Sequence, residues 1–380
     1  LQLVAQGKNS EYLLSDNNFS YFSHVFVKHT NFSTESIPLV FDTHLEFGKK
    51  SSVKISKKGD LLNKCFIEII LPKLKNVNSS WINGIGHHII KNIELYIGGI
   101  LIDRMDGYLL DIYSEYQLNE GKKKGLYNLI GYHTSFDMET DNKEIMKLYI
   151  PLQFWFCRNI ENSLPIVSLQ YHDVEIKLEL RDFEQCYLND NLKEEKPKIL
   201  DASLYCDYIF LDIKERKSFV IQKKDYLIEQ HQMNIDNNIT NNKISMDLDF
   251  NHPTKSLFWY IKTFKSNELK QWFDFSINPE KIRTQSQKEP LDKCVILING
   301  QERFSKRRGE FFRYIEPYKG NNNIPNKIYY NYNFCIDGSK FQPSGFINLS
   351  FIDNFKINLE LLESDNKCFV SFYAINYNIL

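Results

Sequence analysis

In DLDFNH (247–252) the side chains of Asp247, Asp249 and His252 could offer two carboxylates and an imidazole on one side of a strand. Such donors suit a divalent cation. A solvated strand face running into a turn explains the same residues and is the reading adopted. GIGHHI (84–89) has the outline of a Gly-rich phosphate loop but lacks the third Gly and the following helix, so it is read as a turn. His87 and His88 are adjacent; on a strand they would point to opposite faces and could not share a metal. Lys306-Arg307-Arg308 could meet an anion or an acidic neighbour, and is assigned to a solvated turn or a subunit contact. Glu175 and Glu179 lie on the polar face of one strand, with no cleft between them. No His-Glu-x-x-His, phosphate-loop or Gly-x-Ser-x-Gly motif occurs. No catalytic, cofactor-binding or metal-ligating residue is assigned, no cofactor is expected, and the chain is not read as an enzyme.

The elements that must position these residues are set by composition. At 380 residues the chain exceeds what one core usually serves, so two domains of roughly 190 residues each are expected. The 28 Phe and 22 Tyr favour strands. Basic and acidic residues number 47 and 48, and this near-neutrality argues against coating DNA through its phosphates. No apolar stretch approaches the ~20 residues of a membrane span, and no signal-peptide pattern is seen. The chain opens on Leu1, so removal of an initiator Met is expected. Seven scattered cysteines form no Cys-x-x-Cys pair and are read as small buried hydrophobes of a reducing compartment. The sequons at Asn18, Asn31, Asn78, Asn238 and Asn348 are read as consequences of an Asn-rich sequence.

Strands dominate the pattern. Segments 50–56, 64–71, 91–97, 146–156, 174–180, 204–213, 244–250, 256–262, 293–298, 327–334, 355–361 and 368–377 all read as extended. In FKINLEL (355–361), Phe355, Ile357, Leu359 and Leu361 share one face, and Lys356, Asn358 and Glu360 the other. That alternation marks a half-buried antiparallel strand. Only 108–118 and 309–318 read as short helices. Many short strands with little helix predict an all-β sandwich or barrel.

The chain also repeats itself. Phe156-Cys157 precedes Pro165 as Phe334-Cys335 precedes Pro343, both offset by 178. Ile176–Leu180 aligns with Ile357–Leu361 at an offset of 181, and ELYIGG (94–99) with VILING (295–300) at 201. LYCDYIFL in the first half is matched with FVSFYAIN in the second. The drift in offset locates an extra loop in the first half, EGKKKGLYNLIGYHTSFDMETDNKE. Around Lys122-Lys123-Lys124 this loop is expected to project and to tolerate insertion. One sandwich-like unit occurs twice.

Five motifs in order carry a family resemblance. LQLVAQGKNSEYL (1–13) looks like an amino-terminal arm, and HTNFSTES (29–36) with FGKKSSVKISKKGDLL (47–62) is similar to a first-strand signature. DYIFLDIKERKSFV with DYLIEQ (207–230) resembles a crossover. DFNHPTKSLFW (249–259) and FQPSGFINLSFID (341–353) complete the set. Nearly end to end, the chain resembles the major capsid proteins of nucleocytoplasmic large DNA viruses.

The resemblance implies a double jelly roll, two tandem eight-stranded antiparallel β-sandwiches with few short helices in loops. Residues 1–19 would form an arm, 20–213 the first jelly roll, 214–225 a crossover linker and 226–380 the second jelly roll. It further implies a homotrimer of pseudo-hexagonal outline that tiles an icosahedral shell and contacts neighbouring capsomers. Minor capsid or penton proteins would lie beneath, near an inner viral membrane, with no direct nucleic-acid binding. The implied location is the virion, with assembly in the host cytoplasm. The chain departs from the family in its short loops, which fit a low tower or a minor capsid paralogue. A carbohydrate-binding jelly roll would need an exposed aromatic platform, for which Trp155, Trp259 and Trp272 are candidates, the first two read as core. A glycosidase would need two carboxylates about 5–10 Å apart across a cleft.

Overall fold

The computed structural model describes residues 7–8, 20–24, 26–76, 79–133, 145–188, 195–221, 225–239, 241–279, 288–362 and 367–380. Most of the proposed arm, Asn18, Asn78, residues 134–144 of the first-half loop and residues 222–224 of the crossover lie outside them.

The first half supplies β1 (Phe32–Val40), β2 (Lys50–Lys54), β3 (Leu61–Leu71), β4 (Ile90–Ile97) and β5 (Ile100–Met105). Helices α1 (Gly107–Gln117) and α2 (Glu120–Ile130) follow, then β6 (Met146–Pro151), β7 (Val174–Leu180) and β8 (Asp201–Leu211). After helix α3 (Ile213–Ile221), the second half supplies β9 (Leu227–Ile239), β10 (Lys243–Asp247), β11 (Pro253–Thr263), β12 (Leu291–Ile298) and β13 (Gln301–Glu302). A π-helical turn (Phe311–Ile315) runs into α4 (Glu316–Lys319), and β14 (Tyr330–Asn333), β15 (Phe355–Leu361) and β16 (Cys368–Ile379) complete the chain.

The first half pairs its strands as β1-β8-β3-β6 and β2-β7-β4-β5. The second pairs them as β9-β16-β11-β14 and β10-β15-β12-β13, with a short extra strand beside each sheet. Raising every label of the first half by eight gives the second. All these pairs are antiparallel. Each half is a jelly roll, and the fold is a double jelly roll.

Side-chain period explains the layers. VEIKLEL in β7 alternates buried and half-buried positions without exception, and FKINLEL in β15 does so through Leu359. The internal repeat holds in register: Ile176 lies opposite Leu95, and Ile357 opposite Ile296. The ladders shift one match, because Tyr205 opposite Phe66 answers Tyr373 opposite Phe258. One continuous apolar cluster runs through both sandwiches. Trp259 sits within it against Phe312 and Tyr330, with ring centroids 5.3 and 5.8 Å away. The described cysteines are free thiols, all buried except half-buried Cys335.

The strand at 146–156 and the projecting loop at Lys122–Lys124 differ from the sequence expectation. The run 146–156 is a strand only to Pro151, and Trp155–Arg158 turn into a helix. Residues 214–221 of the expected crossover form part of α3, which has no buried residue. Lys122–Lys124 lie in α2 rather than in a projecting loop: Asn119 caps it by accepting from Lys122 N at 3.0 Å, and Leu126, Tyr127 and Ile130 anchor it.

Candidate functional site: the seam between the two halves

Helix α1 is buried on every side, which is unusual for a surface connection in a β-sandwich. Asp106 starts it by accepting from Leu109 N at 2.8 Å. Gly107 is required at its first turn, since a Cβ there would come within 1.9 Å of the His87 carbonyl oxygen. Leu109, Leu110 and Ile112 belong to the continuous apolar cluster. Tyr108, Asp111, Tyr113, Glu115 and Tyr116 of the same helix all contact side chains or backbone of the second half.

Those contacts form a chain of buried charges and phenols on the outer face of sheet β9-β16-β11-β14. Asp111 accepts from Lys327 Nζ at 2.6 and 2.8 Å and from the Tyr329 hydroxyl at 2.6 Å, and its carboxylate lies 3.3 Å from His87 Nδ1. Burial opposes its charge, but Lys327 and His87 outweigh that and hold the carboxyl well below the usual range. For Lys327, burial works the other way and the Asp111 carboxylate prevails, raising the ammonium value. Glu115 accepts from Lys123 Nζ at 3.1 Å, from the Tyr127 hydroxyl at 3.0 Å and from Asn326 N at 2.8 Å.

Further along the seam, Asp103 accepts the backbone N–H of His231 at 2.9 Å and faces its Nδ1 at 3.0 Å. The Tyr113 hydroxyl meets His231 Nε2 at 2.6 Å. Lys262 donates to the Tyr108 hydroxyl at 2.9 Å and sits 4.2 Å from the Trp272 ring centre. Asp106 accepts from the Tyr373 hydroxyl at 2.9 Å, and the ring of Tyr116 lies 5.0 Å from that of Phe258. Desolvated pairs of this kind contribute little net energy but fix geometry, because every alternative docking strands a buried charge.

The seam opens at one end into a cleft of about 690 Å³ lined by Gln117, Arg158, Asn162, Glu229, Lys255 and Gln342, among others. Its deep carboxylate, Glu229, is held by Lys255 at 2.8 Å and Arg158 at 2.6 Å. Burial raises its value, yet those two cations overcome it and keep it below the ordinary range. Glu229 is thus a fixed anion with its charge already balanced, unsuited to donating a proton.

The residues singled out in the sequence are not brought together. Asp247 pairs with Lys356 at 3.2 Å, Asp249 is exposed, and the backbone N–H of His252 donates to the Ser350 hydroxyl. Among the described residues no group of three His, Cys, Asp or Glu could hold a metal. His87 and His88 lie on a helical turn rather than a strand; the first faces Asp111, and the second stacks on Trp272 at 4.3 Å. Lys306 binds Glu360 at 2.8 Å, while Arg307 and Arg308 are exposed. Glu179 is held by Lys91 at 2.6 Å, and Glu175 lies 3.7 Å from Lys177. Trp155 and Trp259 are buried, and Trp272 donates to the Gln185 carbonyl, so none of the three candidates offers an open aromatic platform. The sequence does not single out the seam residues, because the polar side chains of α1 look ordinary in it. The legible signal was an apolar residue on every side of that helix, leaving no solvent face for Asp111 and Glu115.

Two family descriptions match the chain in tandem. "Major capsid protein N-terminus" covers residues 20–212, and "Large eukaryotic DNA virus major capsid protein" covers 215–380. The major capsid protein of Pyramimonas orientalis virus is 32% identical over 411 residues, spanning 100% of this chain and 96% of that protein. The major capsid protein of Paramecium bursaria Chlorella virus 1 is 29% identical over 94% of this chain and 86% of its own. The quasi-atomic capsid structure of that virus superposes with a TM-score of 0.81 at 26% identity, covering 95% of this chain and 97% of the other. The Faustovirus major capsid protein, at 12% identity, shares the fold with a TM-score of 0.82 over 96% and 93% of the two chains.

Proposed function

The chain belongs to the large eukaryotic DNA virus major capsid protein family, and from that premise we propose that it is a structural, non-enzymatic capsid protein. It assembles as a homotrimer of pseudo-hexagonal outline that tiles an icosahedral shell. The boundaries proposed are an arm at 1–19, jelly rolls at 20–213 and 226–380, and a crossover at 214–225. The observation that carries this reading is the seam: two copies of one unit are locked side by side by buried ion pairs, with α1 of one on a sheet face of the other. A six-lobed tile from three chains requires each chain to present its two lobes at a fixed angle.

Contacts with neighbouring capsomers and with minor or penton proteins beneath the shell, near an inner membrane, belong to the same proposal. Assembly is placed in the host cytoplasm. Support comes from exposed apolar residues in the two segments that lead into and out of the Phe32–Leu211 pair. Tyr21, Phe22, Phe26 and Val27 precede that point, and Ile213, Val220 and Ile221 of α3 follow it, all exposed.

Light scattering of the purified full chain, with electron-microscope class averages, tests the reading. Trimers with a threefold or hexagonal outline are expected. A monomer across a wide concentration range would overturn it.

A further inference from the structure

The two jelly rolls are built alike but covered differently. In the second, the outer face of sheet β9-β16-β11-β14 lies under α1 of the first. The rings of Tyr116 and Phe258, and of Tyr108 and Tyr260, pack at a tilt with centroids 5.0 Å apart, and Asp106 binds Tyr373. Every residue of β11 beyond Pro253 is buried, the outward ones under α1.

Among the described residues, the matching face of the first jelly roll, on β1-β8-β3-β6, has no such cover. Phe66 and Tyr205 hold the places of Phe258 and Tyr373 and stack on one another at 5.1 Å, yet both remain half-exposed. Tyr149, two positions along, is half-exposed too, and Val40 is 79% exposed. A groove of about 400 Å³, lined by Ser36, Lys64, Asn159 and Asp207 among others, continues this face.

The second jelly roll also carries a counterpart of α1. Aligning Gly107 with Gly309 pairs GYLLDIYSEYQ with GEFFRYIEPYK, and so Tyr116 with Tyr318. The equivalence is structural as well. A Cβ on Gly107 would stand 3.1 Å from the carbonyl oxygen of Ile90, and one on Gly309 would stand 2.5 Å from that of Leu291. Ile90 and Leu291 are the first residues of the matching strands β4 and β12. The inner side of this second helix packs on its own half, with Phe312 5.3 Å from Trp259, but among the described residues nothing covers its outer side. Tyr318 is 77% exposed, whereas Tyr116 is fully buried, and Tyr314 and Ile315 also face solvent.

We propose that the 309–319 helix of one copy docks on the outer face of β1-β8-β3-β6 of the next, with Tyr318 seated on Phe66 as Tyr116 sits on Phe258. One docking mode is then used six times: three times within chains through α1, and three times between chains through 309–319. The occupant is a second copy because the uncovered helix and the uncovered face are equivalents of a pair already joined within the chain. Exposed aromatics on both sides supply anchors of the kind that dominate interfaces. The inference rests on the trimer reading above and names the surfaces that make it.

The test uses the purified full chain. Tyr318→Glu, at an exposed site, is expected to keep its circular dichroism and thermal midpoint. It should shift the trimer–monomer midpoint upward by at least about thirtyfold in concentration. Separately, Tyr318→Cys combined with Phe66→Cys, under a mild chemical oxidant, is expected to give a covalent trimer ladder that neither single variant gives. If Tyr318→Glu fails to fold, the ladder alone decides. A folded Tyr318→Glu protein that trimerises like the parent, or a trimeric double-cysteine protein without a ladder, overturns the docking mode while leaving the trimer intact. A monomeric parent protein overturns the trimer reading itself.

Discussion

Lys327 donates to both carboxylate oxygens of Asp111, at 2.6 and 2.8 Å, across 216 positions of sequence. The pair joins the two jelly rolls, and neither partner has water to fall back on. Asp111→Asn or Lys327→Met, each removing the closest counter-charge of its buried partner, should destabilise by about 3 kcal/mol. Asp111→Leu with Lys327→Leu together should cost less than the two single changes added. Urea unfolding followed by fluorescence measures all three; additive losses would deny the pair its coupling.

The same pair sets a pH dependence. The folded value of Asp111 lies below its unfolded one, so its stabilisation is present above the ordinary carboxylate range and is lost as pH falls through it. Glu229 acts in the same direction. The folded value of Lys327 is raised, so its share is present below the ordinary lysine value and is lost only in strong alkali. Burial holds the His88 imidazole well below its ordinary value, so its share is present above about pH 6.5 and is lost as pH falls below that. The urea midpoint should therefore be flat between about pH 7 and pH 8, decline gently below about pH 6.5, and fall more steeply below about pH 4. Asp111→Asn should make that acid limb shallower.

Lys123 separates two accounts of the first-half loop. It is fully buried and pairs with Glu115, whereas Lys122 and Lys124 on either side are exposed. Lys123→Met should cost about 3 kcal/mol by removing the nearest counter-charge of buried Glu115. Lys122→Ala and Lys124→Ala should each change stability by less than about 0.5 kcal/mol. Equal effects at all three positions would restore the projecting loop.

Gly345, in FQPSGF, has φ +132, and a Cβ there would lie 3.3 Å from both Cys335 Cα and the Phe334 carbonyl oxygen. Gly345→Val combines that crowding with a strained backbone and should destabilise by at least about 1–3 kcal/mol. Lower soluble yield and an earlier urea midpoint are expected. A normally soluble, trimeric Gly345→Val protein would refute the turn's role.

Much of the fold is legible in the chain because period-2 alternation reports strand faces directly. VEIKLEL and FKINLEL appear in the structure with the bounds that the alternation predicts. Strands β5 and β9 were not legible in that way. On β9, Glu229 and His231 sit where a solvent face would be expected, and they are buried against the first jelly roll instead. Local pattern cannot distinguish a polar face turned to water from one turned to a buried partner.

The sequence alone determined the strand-rich class, the duplication and the family, since periodicity and ordered motifs are properties of the chain read along its length. Tertiary structure decided which polar residues matter. Asp111 and Lys327, Asp103 and His231, or Glu115 and Lys123 become coupled only when folding removes their water, because the cost of a buried charge depends on what lies within a few ångströms in space. It also decided that Tyr116 is covered and Tyr318 is not, a difference between two equivalent residues that the sequence pattern around them does not show.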